Sequence, residues 1–161
     1  MNKSEPGQKG SGRSGLKRWA RYGPLVFWLG FLWLASTGAF SAGNTSRFLR
    51  PLLTWLFPRF SEAELDALHF LVRKAAHFLE YAVLGFLASR AFVTSTHASI
   101  QRRWFELALL LVVLNSLLDE FHQSYVASRT GSIYDSAIDI AGGLTVLLVC
   151  KVLVKRTVSL R

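Results

Sequence analysis

Residues 73–92 read RKAAHFLEYAVLGFLASRAF. The uncharged apolar run inside this stretch, Tyr81 to Ser89, is only nine residues long, and Arg73, Lys74, His77 and Glu80 stand immediately before it. A helix that crosses a bilayer needs about twenty largely apolar residues. A span here must therefore continue through its charged head, and charge within an apolar helix is costly unless it faces protein or the interface. At about 100° per residue, Arg73, His77, Glu80 and Leu84 share one narrow stripe, with Lys74 and Tyr81 at its flank. The stretch reads as one helix of a bundle, its polar stripe turned toward partner helices.

Moving outward, the same construction repeats. Residues 107–118 form an uncharged run of twelve followed by DEFHQ from Asp119, and residues 140–150 form one of eleven preceded by RTGSIYDSAID from Arg129. In the first, Asn115, Asp119 and His122 stand at i, i+4 and i+7, and Gln123 joins them. In the second, Asp135 and Asp139 are one turn apart, with Gly142 and Gly143 a further turn along. The longest charge-free stretch lies between Arg21 and Arg47, with Pro24 in the first turn of the helix predicted there. These patterns predict an all-α polytopic membrane protein, a four-transmembrane-helix bundle with helices at about residues 22–40, 71–92, 104–120 and 135–155.

Residues 1–18 read as a disordered basic cytoplasmic arm ahead of this domain at 19–161. Residues 44–69, with Pro51, Pro58 and the capping-box pair Ser61 and Glu64, read as an amphipathic extracytoplasmic segment running into the second span. An ordinary loop with a short helix is the alternative. The first span also carries the marks of a secretory signal, an apolar centre from Leu25 to Leu34 followed by the small residues Ala39 and Ser41. Three further apolar segments need a membrane in either case.

Composition agrees with the membrane class. The 161 residues are 51% hydrophobic and 13% aromatic, and the single cysteine, Cys150, can build neither a disulfide framework nor a thiolate metal site. The net charge of +9 would suit nucleic acid if it were spread evenly, but it is sided. With the N-terminus inside, thirteen Lys and Arg fall on the inner side against Glu5 and Glu106, while the outer side has six against eight carboxylates. That is the positive-inside pattern, so topology accounts for the basicity and no nucleic-acid partner is expected. Both termini are expected in the cytoplasm, and all three polar motifs toward the outer leaflet. A soluble four-helix bundle is the structural alternative, for which the sidedness would be a coincidence.

The polar groups are candidates for one shared site: Arg73, His77, Glu80, Asp119, His122, Gln123, Arg129, Asp135 and Asp139 as ligand-binding residues. Ion pairing, protonation or a divalent cation could each balance the excess of carboxylates over Arg73, Lys74 and Arg129. Asp119, Asp135 and Asp139 are the candidate metal ligands, though no cofactor is required. Each group also has a plain structural role open to it. The His77 and Glu80 spacing serves a packing hydrogen bond as well as a ligand pair; Asp135, just after Ser132, suits a helix start; Lys74 is as well placed to reach headgroups as to point inward; Glu120 points about 100° away from Asp119. Gly142 and Gly143 fit close helix contact.

RKAAHFLEYAVLG at 73–85 and LLDEFHQSYVASRTGSIYDSAIDIAGG at 117–143 resemble the paired signatures of VanZ-like membrane proteins, named after a teicoplanin-resistance protein of Gram-positive bacteria. The likeness covers about half the chain. It departs at Ala127 and Ser128, where relatives often carry Pro-Gly before the arginine, which loosens the transfer to Arg129. The resemblance implies a multi-pass protein of the bacterial cytoplasmic membrane, with a link to glycopeptide resistance. It leaves enzyme and non-enzyme open. One hypothesis is an outer-leaflet pocket for an anionic membrane lipid or lipid-linked cell-wall precursor, with Arg73 and Arg129 on phosphate. A second is an integral-membrane enzyme on such a lipid, with His77 or His122 as general base beside Asp119 as catalytic candidates. A third makes the network only the glue of the bundle.

Overall fold

The computed structural model describes residues 9–37, 42–125 and 133–159, with side chains from 15–37, 45–125 and 133–156. Arg129, Ser132, Ala39, Ser41 and the first eight residues of the N-terminal arm lie outside it. Among the described residues the chain is all helical, in the order α1 (Lys9–Ala35), α2 (Ala42–Leu56), α3 (Glu62–Val93), α4 (Ala98–Arg102), α5 (Trp104–Ser124) and α6 (Ile133–Ser159).

The expected four helices are present with altered ends, and two more stand between them. α1 starts at Lys9, well ahead of residue 22, and includes Pro24. The amphipathic stretch divides at Pro58. Its first half is α2, and its second half opens α3, which starts at Glu62 rather than near residue 71. The cause is local: Ser61 caps the helix, its hydroxyl accepting from the Glu64 amide at 3.4 Å while the Glu64 carboxylate accepts from the Ser61 amide at 2.7 Å. With no breaker between Glu62 and Val93, one helix continues through both the acidic turn and the apolar run.

α3 is the hub. It packs most extensively on α6, then on α5, α1 and α2. The α3–α6 contact depends on glycine: a Cβ on Gly85 would lie 2.7 Å from the Gly143 carbonyl oxygen, and one on Gly142 would collide with the Phe78 backbone. Missing side chains let the two backbones touch. The core continues through Leu25 and Leu32 of α1, Leu84 and Ala88 of α3, Ala108 and Val112 of α5, and Leu147 of α6. α2 lies against the start of α3, where Leu53 and Leu65 are buried and Arg50 pairs with Glu62 and, at 3.3 Å, with Asp66.

Two helices, α3 and the Ile133–Arg156 part of α6, are long and apolar enough to cross a membrane. α5 carries Glu106, Asp119 and Glu120, and the described part of α1 begins with a basic stretch. Four spans are thus not established by length and composition. Large apolar side chains are nevertheless exposed around the bundle, among them Phe27 and Trp33 of α1, Leu79 and Phe86 of α3, Leu110 and Leu118 of α5, and Val149 of α6. Such a surface is unsuited to water and suited to lipid.

Candidate polar pocket between the helices

The polar stripes of α3, α5 and α6 do meet. His77 of α3 and the wholly buried Asp139 of α6 face each other, with Nδ1 to Oδ1 at 3.3 Å. A ligand atom from each of His77, Asp139 and Asp119 of α5 lies within 4.8 Å of the other two. Helix geometry brings them there: His77 is the inward residue of the α3 stripe, Asp139 lies one turn before the glycines that press α6 onto α3, and Asp119 lies one turn beyond Asn115.

The outer oxygens of both carboxylates are held from behind. Ser116 Oγ donates to Asp139 Oδ2 at 3.2 Å and also lies 3.3 Å from the Ser136 carbonyl, and Gln123 Nε2 donates to Asp119 Oδ2 at 2.9 Å. Asp139 Oδ1 and His77 Nδ1 are different: both are buried, and among the described residues neither completes an aligned hydrogen bond. Their 3.3 Å approach brings a ring nitrogen and a carboxylate oxygen together without the direction that a good hydrogen bond requires. Asn115 Nδ2 donates to the Tyr81 hydroxyl at 3.1 Å alongside, linking α5 to α3.

Above this group opens a cavity of about 160 Å³, walled by Phe31, Leu32, Ala35 and Ser36 of α1, Thr45 of α2, Arg73, Ala76, His77 and Glu80 of α3, and Asp119 of α5. Arg73 and His77 supply positive or donor character, and Glu80 and Asp119 supply negative. Phe31 and Leu32 form an apolar side. Trp28 Nε1 donates to the Glu80 backbone carbonyl at 3.0 Å, fixing α1 against this wall.

The sequence-derived candidates therefore separate. Arg73, His77, Glu80 and Asp119 line the cavity, Asp139 contacts His77 without lining it, and Gln123 orients Asp119. His122 stands apart from the three converging donors: its Nδ1 lies 3.1 Å from Ser36 Oγ, and its ring stacks on Trp33 at 4.6 Å. Asp135 is also outside that group, because Lys74 reaches across from α3 and pairs with it. Lys74 thus has an internal partner, with its side chain 22% exposed. Ser116 is the residue that pattern reading passed over. Its only signal is position, three residues before Asp119 on the same apolar helix.

A family model described as VanZ/LLP1 matches residues 22–154, most of the chain. No curated protein and no solved structure matches it.

Proposed function

The chain belongs to the VanZ/LLP1 family, and from that premise and the pocket we propose that it is an integral membrane protein of the bacterial cell envelope that binds an anionic lipid headgroup. The observation that carries the proposal is the position of Arg73, lining a polar cavity with an apolar wall inside helices whose outer surfaces are apolar. A guanidinium offers a planar fork of donors that suits phosphate. Size narrows the ligand: about 160 Å³ is well below the roughly 300–1,000 Å³ of pockets that engulf whole small molecules. The cavity suits a phosphate-bearing headgroup while the acyl or isoprenoid chain stays in the bilayer.

The native ligand on this reading is a membrane phospholipid or a lipid-linked cell-wall intermediate in the outer leaflet. On this reading the chain has four spans, and the charge sidedness then puts both termini in the cytoplasm. A link to glycopeptide resistance would arise if occupancy altered access to lipid-linked precursors. The test is lipid co-purification read by native mass spectrometry. Arg73→Ala should lose bound anionic lipid, while Lys74→Ala, which removes the partner of Asp135, should retain it. Equal losses in the two variants would sink the assignment of Arg73.

A second reading, a hydrolase or transferase acting on such a lipid, is favoured by the convergence of His77, Asp119 and Asp139 at the cavity floor. There the imidazole stands beside two carboxylates, an arrangement suited to moving a proton at the headgroup. It expects lipid turnover by purified protein, abolished in Asp119→Asn.

A further inference from the structure

We infer that His77, Asp119 and Asp139 hold a divalent cation of the Zn²⁺ or Mn²⁺ class at the floor of the pocket, with open positions directed toward the headgroup.

Three features of the geometry support the site. The first is separation. Two ligands each about 2.1 Å from one ion stand roughly 3.3 Å apart when they subtend about 105°, near the tetrahedral value. His77 Nδ1 and Asp139 Oδ1 are 3.3 Å apart. The third donor, Asp119, offers a carboxylate oxygen within 4.8 Å of a ligand atom from each of the other two.

The second is the unspent valence of buried atoms. Asp139 is wholly buried, and among the described residues its Oδ1 has the 3.3 Å contact with His77 Nδ1 but no aligned hydrogen bond. A buried carboxylate oxygen left in that state costs free energy unless a cation satisfies it.

The third is how the remaining oxygens are tied. Ser116 holds Asp139 Oδ2 and Gln123 holds Asp119 Oδ2, so each carboxylate has one oxygen anchored from behind. Hydrogen bonds of this kind orient metal-ligating carboxylates. Charge supports the same conclusion. Lys74 is already paired with Asp135, and an ion of charge two would neutralise Asp119 and Asp139 together.

One imidazole and two carboxylates suit Zn²⁺ or Mn²⁺ better than the all-oxygen shells preferred by Ca²⁺ and Mg²⁺. Three protein ligands leave positions open to water or to a phosphate oxygen from the cavity. The inference rests on the pocket reading for its headgroup, but the ion itself can be tested without lipid.

The full chain, purified in detergent without chelator and then exposed separately to Zn²⁺, Mn²⁺, Mg²⁺ and Ca²⁺, should retain about one Zn²⁺ or Mn²⁺ per chain after desalting. Elemental analysis reads this directly. Asp119→Asn and His77→Gln should each weaken retention by more than about tenfold, whereas Asp135→Asn should retain the metal. Added metal should raise the melting temperature of the wild type and leave that of Asp119→Asn unmoved. Failure of the wild type to retain either ion, or equal retention by all three variants, overturns the site even if a variant folds poorly. Metal retained while Arg73→Ala keeps its lipid would sink the headgroup proposal alone; lipid bound without metal would sink this one alone.

Discussion

At the residue scale, Ser116 shows how a buried carboxylate is kept in place. It has one hydroxyl proton and two acceptors within reach, Asp139 Oδ2 and the Ser136 carbonyl. The group is completely buried, so no water substitutes when it is removed. Ser116→Ala should lower stability in detergent by about 1–3 kcal/mol, the cost of an unsatisfied buried acceptor. Ser124→Ala on the same helix should change little, since Ser124 is exposed and donates to the nearby Phe121 carbonyl. Thermal melts of the two variants check the contrast, and equal shifts would place the cost in helix propensity instead. The inward stripe of Arg73, His77 and Glu80 was legible because helical period alone aligns them. Ser116 was not, since a small hydroxyl in an apolar helix has the same pattern as a packing residue. The Lys74–Asp135 pair was hidden for another reason: it depends on which face of α6 meets α3, and spacing within one helix carries no information on that.

At the element scale, the pocket exists because α3 and α6 touch backbone to backbone. Gly85 and Gly143 oppose each other, and Gly142 presses on Phe78, one residue past His77. A methyl at either Gly85 or Gly142 must push the helices apart, and with them His77 from Asp139. Gly85→Ala and Gly142→Ala should each cost about 1–3 kcal/mol by overpacking, whereas Gly30→Ala, with nothing near its added Cβ, should be neutral or slightly stabilising. Melting temperatures of the three variants decide the point; a loss in Gly30→Ala as large as in Gly142→Ala would contradict close approach as the cause. The role of Gly142 and Gly143 was readable from sequence, since paired glycines within an apolar run have few other uses. Gly85 was not singled out, because its significance appears only when α6 supplies the opposing carbonyl. The boundary between α2 and α3 was half visible. Ser61 and Glu64 announce a helix start, but the hydropathic pattern that marks where a span begins starts later than the helix itself.

At the scale of the whole molecule, charge and shape bear on the same topology from different directions. α3 and α6 satisfy the length and composition of a membrane span. α5 misses it on account of Glu106, Asp119 and Glu120, and two of these sit at the polar end where the pocket forms. A helix that places its carboxylates against protein and at an interface needs fewer apolar residues than one bathed in lipid throughout. The exposed apolar faces of α1 and α5 then complete a surface that lipid would cover. If α3 crosses the bilayer, α2 and the connection between α3 and α4 lie on opposite sides. Two exposed residues report on this, Thr54 in α2 and Thr96 in the connection just before α4. In a Cys150→Ser background, which leaves a hydroxyl beside Ser89 where the thiol stood, Thr54→Cys should react with a membrane-impermeant maleimide on intact spheroplasts. Thr96→Cys should stay unlabelled until the membrane is permeabilised. The overall positive-inside asymmetry, thirteen Lys and Arg against six, predicts this order; its weight comes from the two ends of the chain, since Arg90, Arg102 and Arg103 near Thr96 are matched in number by Arg47, Arg50 and Arg59 near Thr54. Equal labelling of the two cysteines in intact spheroplasts would mean that α3 does not cross. The pocket would then belong to a bundle lying on the membrane, and its headgroup would have to enter from the surface instead of sideways from the outer leaflet.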